Sequence, residues 1–132
     1  MPLVASTETT LQRCLRASIL LSWIAFEEVV KSCLRDRWSS ENPSGPMPTH
    51  LYEQVAYQLS SLGKSSLDRA EYTRFRRLRN DIAHANDSHE PLTLSLEEGL
   101  GTFNFCFRVA SDLLPYPLRN PNYIHSYNAS LR

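Results

Sequence analysis

Arg79 and His84 lie five positions apart near the middle of the sequence, in a segment that also holds Asn80 and three further arginines. Histidine titrates near neutral pH and can take or give a proton. Arginine presents a planar fork of donors that binds phosphate oxygens and stabilises negative charge on them. These residue types therefore suit a reaction in which a proton moves while charge grows on a phosphate.

RNA can undergo such a reaction without a metal ion, because its own 2′-hydroxyl can attack the adjacent phosphate and leave a 2′,3′-cyclic phosphate. In that reaction His84 would transfer the proton and Arg79 would stabilise the charged phosphorane. Asn80 would orient the phosphate or His84 through hydrogen bonds. Candidates for binding the flanking phosphates are Arg74, Arg76 and Arg77.

The same segment has the pattern of an amphipathic helix. Apolar residues at spacings of three and four predict a buried stripe made of Phe75, Leu78, Ile82 and Ala85. On a regular helix Asn80 and His84 lie on the solvent-exposed side, whereas Arg79 lies about 140° from His84 at the edge of the buried apolar stripe. We therefore expect Arg79 to be partly buried. A change of direction after Ala83 could swing His84 back toward Arg79.

The stretch Arg79-Asn80-Asp81-Ile82-Ala83-His84 resembles the Arg-x-x-x-x-His signature of the HEPN superfamily. These are small helical-bundle domains, and the ribonuclease members often carry a polar residue just after the arginine, as Asn80 is here. The context is also similar, because the motif closes a basic amphipathic helix and is followed by a loop and another helix.

The resemblance implies a metal-independent endoribonuclease that needs no cofactor. It also implies a homodimer, since the arginine and histidine of these enzymes lie near a dimer interface where two copies build one cleft. A role as a toxin or host-defence nuclease is implied as well, with a neutralising antitoxin or a larger defence complex as a further partner.

One departure from the family pattern concerns regulation. HEPN toxins paired with nucleotidyltransferase antitoxins commonly carry a modifiable tyrosine two positions after the histidine, where this chain has Asn86. Another branch of the superfamily is therefore expected. Two further hypotheses stay open: a non-catalytic HEPN-like dimer that binds RNA, a nucleotide or a protein, and a structural adaptor in which Arg79 and His84 matter only for stability.

Composition gives no global signal for nucleic acid, because 14 basic and 14 acidic residues balance in the 132-residue chain. The local distribution differs: from Lys64 to Arg79 there are six basic and two acidic residues. Such an excess can be a merely solvated helix face, or it can mark a surface for an anionic partner.

Other kinds of site find little support in the sequence. The four histidines and three cysteines lack the spacing of a metal centre, and four glycines form no phosphate-binding loop. A DNA-binding helix-turn-helix is disfavoured, because more than a tight turn separates the second and third predicted helices.

The sequence shows neither a signal-peptide pattern nor a membrane-spanning pattern. Residues 1–10 lack the features of a signal peptide, and the longest uncharged run, Ala17 to Phe26, is too short to cross a bilayer. We therefore expect a cytoplasmic protein without membrane contact, in which Cys14, Cys33 and Cys106 are reduced core thiols.

The elements that must position the motif are predicted to form an all-α, up-and-down bundle of about four helices. The first helix is expected from Ser6 or Thr7 to Arg37, and the second from Thr49 to Leu62 with Gly63 as its C-terminal cap. The third helix is expected to start at a capping box at Asp68, and the fourth at a capping box of Ser95 and Glu98. The last helix has the apolar pattern Leu96, Leu100, Phe103, Phe107, Ala110 and Leu114. We expect one domain over residues 1–132, with the bundle at 7–114 and an irregular proline-rich tail at 115–132.

Two carboxylates interrupt the long apolar first helix. Glu27 falls on its widened apolar stripe, next to Glu28, and a carboxylate there needs a partner. One hypothesis is that Glu27 or Glu28 pairs with Arg79 and orients it. The alternative is that Glu27 points outward at the rim.

Overall fold

The structure is a computed structural model that describes residues 2–84 and 92–114, and the side chains from Thr10 onward within those ranges. Four helices follow one another: α1 (Pro2–Glu41), α2 (Leu51–Ser61), α3 (Arg69–Ala83) and α4 (Leu96–Leu113). The described ranges contain no strand. The prediction of an all-α bundle is confirmed, whereas the predicted tail at 115–132 lies outside the described residues.

The end of α1 differs from the prediction, because Trp38 to Glu41 continue the helix instead of starting a loop. Contacts with α2 hold this last turn: the Trp38 ring lies 5.3 Å from that of Tyr57. The Glu41 carboxylate accepts hydrogen bonds from the hydroxyls of Ser61 and Tyr57. These bonds, that of Ser61 first, lower the pKa of Glu41, while the bond to Glu41 raises the pKa of Tyr57.

Local capping signals end and begin the helices as predicted. Gly63 has a φ of 67° and its N–H donates to the Ser60 carbonyl at 3.1 Å, so it closes α2 in the left-handed conformation that glycine adopts readily. The Asp68 carboxylate accepts from the first N–H groups of α3. Ser95 and Glu98 form the reciprocal capping box of α4, with bonds of 2.8 and 3.1 Å.

The chain divides into two compact units, and α1 and α4 contribute to both of them. The first unit comprises residues 1–26 and 68–107. Its core is an aromatic cluster in which Phe105 stacks on Phe75 with ring centroids 5.2 Å apart. Trp23 and Tyr72 pack edge to face in the same cluster, 5.9 Å apart. This cluster fixes α3, which carries the motif.

Close approach of the helices depends on two glycines of α4. A Cβ at Gly99 would lie 2.9 Å from the Leu15 side chain of α1. A Cβ at Gly101 would lie 3.2 Å from the Phe75 ring of α3. Phe75 therefore faces Gly101 and Phe105, and Tyr72, one turn earlier in α3, faces Phe105. An earlier residue of α3 thus lies beside a later residue of α4, which means that the two helices are antiparallel.

The second unit comprises residues 27–67 and 108–132, described as far as Leu114. Gln58 of α2 is fully buried and donates to the Val30 carbonyl of α1 at 3.1 Å. Arg37 donates to the Gln58 side chain at 3.2 Å and to the Leu113 carbonyl at 2.6 Å. The Arg37 guanidinium thus satisfies a carbonyl at the end of α4.

Most of the apolar residues whose spacing predicted α4 do not face the core. Four of its residues are exposed on one side of the helix and are called the α4 stripe here: Leu96 (63% exposed), Leu100 (54%), Phe103 (50%) and Phe107 (64%). The buried side consists instead of Thr102, Phe105, Cys106, Val109 and Leu113. Helix α4 therefore has two apolar faces, of which one is covered.

The three cysteines divide in the same way. Cys33 and Cys106 are buried free thiols as predicted, and burial raises the pKa of Cys33. Cys14 is exposed, so its assignment to the core was wrong. None of the described helices has the length and apolar content that crossing a membrane requires.

Candidate functional site

One face of helix α3 is buried and the other is exposed to solvent, as its sequence pattern predicted. Tyr72, Phe75 and Ile82 are buried, and Leu78 is half-buried beside them. The fourth predicted member of this stripe, Ala85, lies outside the described residues. The anchoring leaves the polar side of α3 accessible along its whole length.

His84 directly follows the last residue of α3 and is exposed. Its φ of −104° and ψ of 10°, with its N–H donating to the Asn80 carbonyl at 3.0 Å, continue the helical path for one more residue. The backbone therefore does not turn back before His84. Arg79 and His84 of one copy leave the helix about 140° apart around its axis.

Arg79 is half-buried, in agreement with its predicted place at the edge of the apolar face. Its Nη1 donates to Oδ1 of Asn80 at 3.2 Å. One donor of the part-buried guanidinium is thus held by the neighbouring amide. Contacts of Asn80 with a phosphate or with His84 stay predictions.

The other arginines of the segment have different surroundings. Arg76 is half-buried, and its Nη1 lies 3.4 Å from the Tyr72 hydroxyl. The Arg74 guanidinium lies over the Phe75 ring, 5.2 Å from its centroid. Arg77 is exposed. Arg74 and Arg77 therefore share the outer surface of α3, whereas Arg76 leans toward the core.

The two carboxylates of α1 differ in exposure: Glu27 is half-buried and Glu28 is exposed. Glu27 begins the second unit of the chain, whereas Arg79 belongs to the first. Pairing of either carboxylate with Arg79 stays a prediction, and the alternative of a rim position for Glu27 stays open.

Two residues that hold the chain just before α4 were not found by sequence reasoning. Gln12 clamps the backbone of Leu94, donating to its carbonyl at 2.9 Å and accepting from its N–H at 2.7 Å. Arg16 donates to the Leu92 carbonyl at 3.1 Å. Polar residues four apart at the edge of the apolar stripe of α1 were the available signal. They fix the start of α4 against α1.

Comparison of the chain with protein-family models, curated proteins and solved structures finds no match. Within the described residues, no three histidine, cysteine, aspartate or glutamate side chains are grouped as metal ligands would be. We therefore infer the function from the geometry of α3.

Proposed function

We propose that this protein is a metal-independent endoribonuclease of HEPN type, with Arg79 and His84 as its catalytic residues. The observation that carries the proposal is the arrangement on α3. The helix is anchored by buried apolar residues, while Arg79 is held by Asn80 at 3.2 Å and exposed His84 ends the helix. Half-burial strengthens the interaction of a guanidinium with an anionic phosphorane.

In this mechanism the 2′-oxygen of the RNA forms a bond to phosphorus as the bond to the 5′-oxygen breaks. A base takes the proton of the 2′-hydroxyl, and an acid gives a proton to the departing 5′-oxygen. His84 serves in this proton transfer and Arg79 neutralises the charge on the phosphorane. The products are a 2′,3′-cyclic phosphate and a 5′-hydroxyl end.

The enzyme is proposed to be a homodimer with a composite cleft. Within one copy the motif histidine leaves the helix about 140° from Arg79, so the two groups of one copy point to different sides of α3. A second copy can place its His84 opposite the first copy's Arg79. By the same proposal, Asn80 positions Arg79, while Arg74, Arg76 and Arg77 bind flanking phosphates.

The α4 stripe supports a homodimer, because an exposed row of large apolar residues is typical of a protein interface. Phe103 and Phe107 already stack on each other with centroids 5.9 Å apart. Two antiparallel copies of α4 would place Leu96 opposite Phe107 and Leu100 opposite Phe103 around a two-fold axis. Exposed Glu97 and Arg108 flank the stripe on one side, so each would meet its opposite charge in the partner.

The biological role proposed from the resemblance is that of a cytoplasmic toxin or host-defence nuclease acting on RNA. A neutralising antitoxin or a larger defence complex would then be a further partner. Growth arrest on overexpression, relieved by His84→Ala, is the expected result. Overexpression of the wild type without any effect on growth would count against a toxin.

Cleavage of mixed RNA in EDTA by the purified chain tests the enzyme directly. Wild type, Arg79→Ala, His84→Ala and the control Arg35→Ala, at an exposed position of α1, are compared after circular dichroism shows that all fold. Wild type and the control should leave 2′,3′-cyclic phosphate ends, and the two motif variants should not. Four folded but inert proteins would favour the non-catalytic binding module, which the same exposed surfaces suit.

Mixing the two motif variants tests the composite cleft. If each site takes Arg79 from one copy and His84 from the other, a heterodimer of Arg79→Ala and His84→Ala has one intact site. Random exchange then restores about a quarter of the wild-type activity. No recovery after exchange would mean that each site is built within one copy.

A further inference from the structure

The last turns of α1 line a cavity in the second unit of the chain. It is called the α1 cavity here, has a volume of about 330 Å³ and is lined by Cys33, Asp36, Arg37, Ser40 and Glu41. That volume is at the small end of the range found for pockets that bind small molecules. The cavity therefore suits a ligand of about the size of an amino acid.

Arg37 supplies the α1 cavity with a positive charge in a fixed position. Its Nε donates to Oε1 of Gln58 at 3.2 Å, and its Nη2 donates to the Leu113 carbonyl at 2.6 Å. The third nitrogen, Nη1, has no hydrogen-bond partner within residues 2–84 and 92–114. Because two bonds already hold the guanidinium, an acceptor that binds to Nη1 costs little further ordering of this side chain.

Two carboxylates, Asp36 and Glu41, outweigh the charge of Arg37, so the lining carries one excess negative charge. Asp36 is exposed and makes no hydrogen bond or ion pair with any other residue that the structure describes. Hydrogen bonds from the hydroxyls of Ser61 and Tyr57 hold the pKa of Glu41 below its usual value, so Glu41 stays ionised at neutral pH. A ligand with a net positive charge would offset the charge of the lining.

The spacing of these charged groups along α1 limits the shape of the ligand. Asp36 and Glu41 are five positions apart, which is about 7.5 Å along the helix axis, and Arg37 lies between them. The two carboxylates leave the axis about 140° apart, but both line the cavity, so a ligand can span them. The two nitrogens of lysine are separated by six bonds, which is about 7 Å when the side chain is extended. Its carboxylate is attached between them.

We propose that the α1 cavity binds a free basic amino acid, lysine or arginine. The α-carboxylate of the ligand accepts from Nη1 of Arg37, its α-ammonium donates to Asp36, and its side-chain cation pairs with Glu41. The net positive charge of the ligand matches the excess negative charge of the lining. Acidic amino acids and nucleotides are disfavoured, because they bring like charge to the two carboxylates. The site uses no residue of α3, so it is independent of the proposed ribonuclease.

NMR chemical shifts of the full chain, followed while L-lysine is added, measure this binding. Saturable shifts are expected at the amides of residues 33–41 and at the Arg37 Nε–H, with a Kd of about 1 mM for so small a ligand. L-Lysinamide lacks the carboxylate and norleucine lacks the side-chain cation, so each should bind about tenfold more weakly. These ligands test Arg37 without replacing it, which matters because Arg37 also supports the end of α4. The absence of saturable shifts at these residues would overturn the proposal, and so would lysinamide that binds as tightly as lysine.

Asp36→Asn tests the acidic side of the cavity. Circular dichroism should show that this variant folds, because the exposed carboxylate supports no other described residue, and lysine should bind to it about tenfold more weakly. The matched control Glu53→Gln removes a carboxylate at an exposed position of α2 outside the lining and should keep the wild-type Kd. A wild-type Kd for Asp36→Asn would overturn the proposal. An equal loss of affinity in both variants would show that lysine follows the net charge of the chain, which would also overturn the site.

Discussion

Replacing both phenylalanines of the α4 stripe with alanine is expected to separate the proposed dimer without unfolding the chain. Phe103 and Phe107 are 50% and 64% exposed. Full burial of a phenylalanine is worth about 1.5–3 kcal/mol, so covering these exposed fractions is worth about 1 kcal/mol each. A two-fold interface counts each residue twice, which gives about 4 kcal/mol and roughly a thousandfold weaker dimerisation.

Sedimentation velocity over a protein concentration series measures this change. Leu21→Ala/Ile24→Ala is the matched control, because these α1 residues are 63% and 56% exposed and lie outside the stripe. The control should stay dimeric. The free energy of unfolding of Phe103→Ala/Phe107→Ala, measured where both proteins are monomeric, should change by less than about 1 kcal/mol, since exposed side chains contribute little to the fold.

Charge reversal tests the antiparallel arrangement itself. Glu97→Arg alone and Arg108→Glu alone should each weaken the dimer, because each brings like charges together across the two-fold axis. The double reversal should recover much of the wild-type affinity. A wild type that stays monomeric over the whole series would contradict the proposed interface, and so would a Phe103→Ala/Phe107→Ala variant that dimerises as tightly as the wild type.

Three further predictions concern single residues. Asn80→Ala removes the acceptor of Arg79 and should lower kcat/KM on RNA about tenfold, whereas Asn80→Asp, which keeps an acceptor there, should lose less. Gln12→Ala leaves the Leu94 N–H and carbonyl without their partner and should lower the free energy of unfolding in urea by about 2 kcal/mol. Hydrogen bonds from the Ser61 and Tyr57 hydroxyls lower the pKa of Glu41, so this carboxylate contributes stability above pH 4.5 that is lost as pH falls through its pKa in the folded protein. Glu41→Gln should therefore flatten the acid side of a profile of unfolding free energy against pH. An unchanged profile would contradict this assignment.

Signals that act within a few residues were readable from the sequence. The reciprocal bonds of Ser95 and Glu98 and the left-handed Gly63 depend on neighbouring residues only, so their spacing was enough to predict them. The half-burial of Arg79 followed in the same way from its angle on a regular helix. Contacts of the last turn of α1 with α2 depend on distant residues, and for that reason Trp38 was wrongly placed in a loop.

Periodicity could not decide which face of α4 is buried. Leu96, Leu100, Phe103 and Phe107 recur at helical spacing, but so do the residues that the structure buries. The close contacts of Gly99 with Leu15 and of Gly101 with Phe75 decide the orientation, and they involve residues far away in the sequence.

The Asn80 contact with Arg79 also escaped prediction, and its consequence reaches the proposed mechanism. Adjacent residues of a helix do not face each other, so no spacing rule pairs them. The long Arg79 side chain nevertheless reaches back to the amide at 3.2 Å, which holds the guanidinium near Asn80. Since His84 leaves α3 about 140° away, the proposal joins Arg79 and His84 through a second molecule. The proposed active site would then exist only in the assembled dimer, and cleavage per molecule should fall on dilution below the dimer Kd.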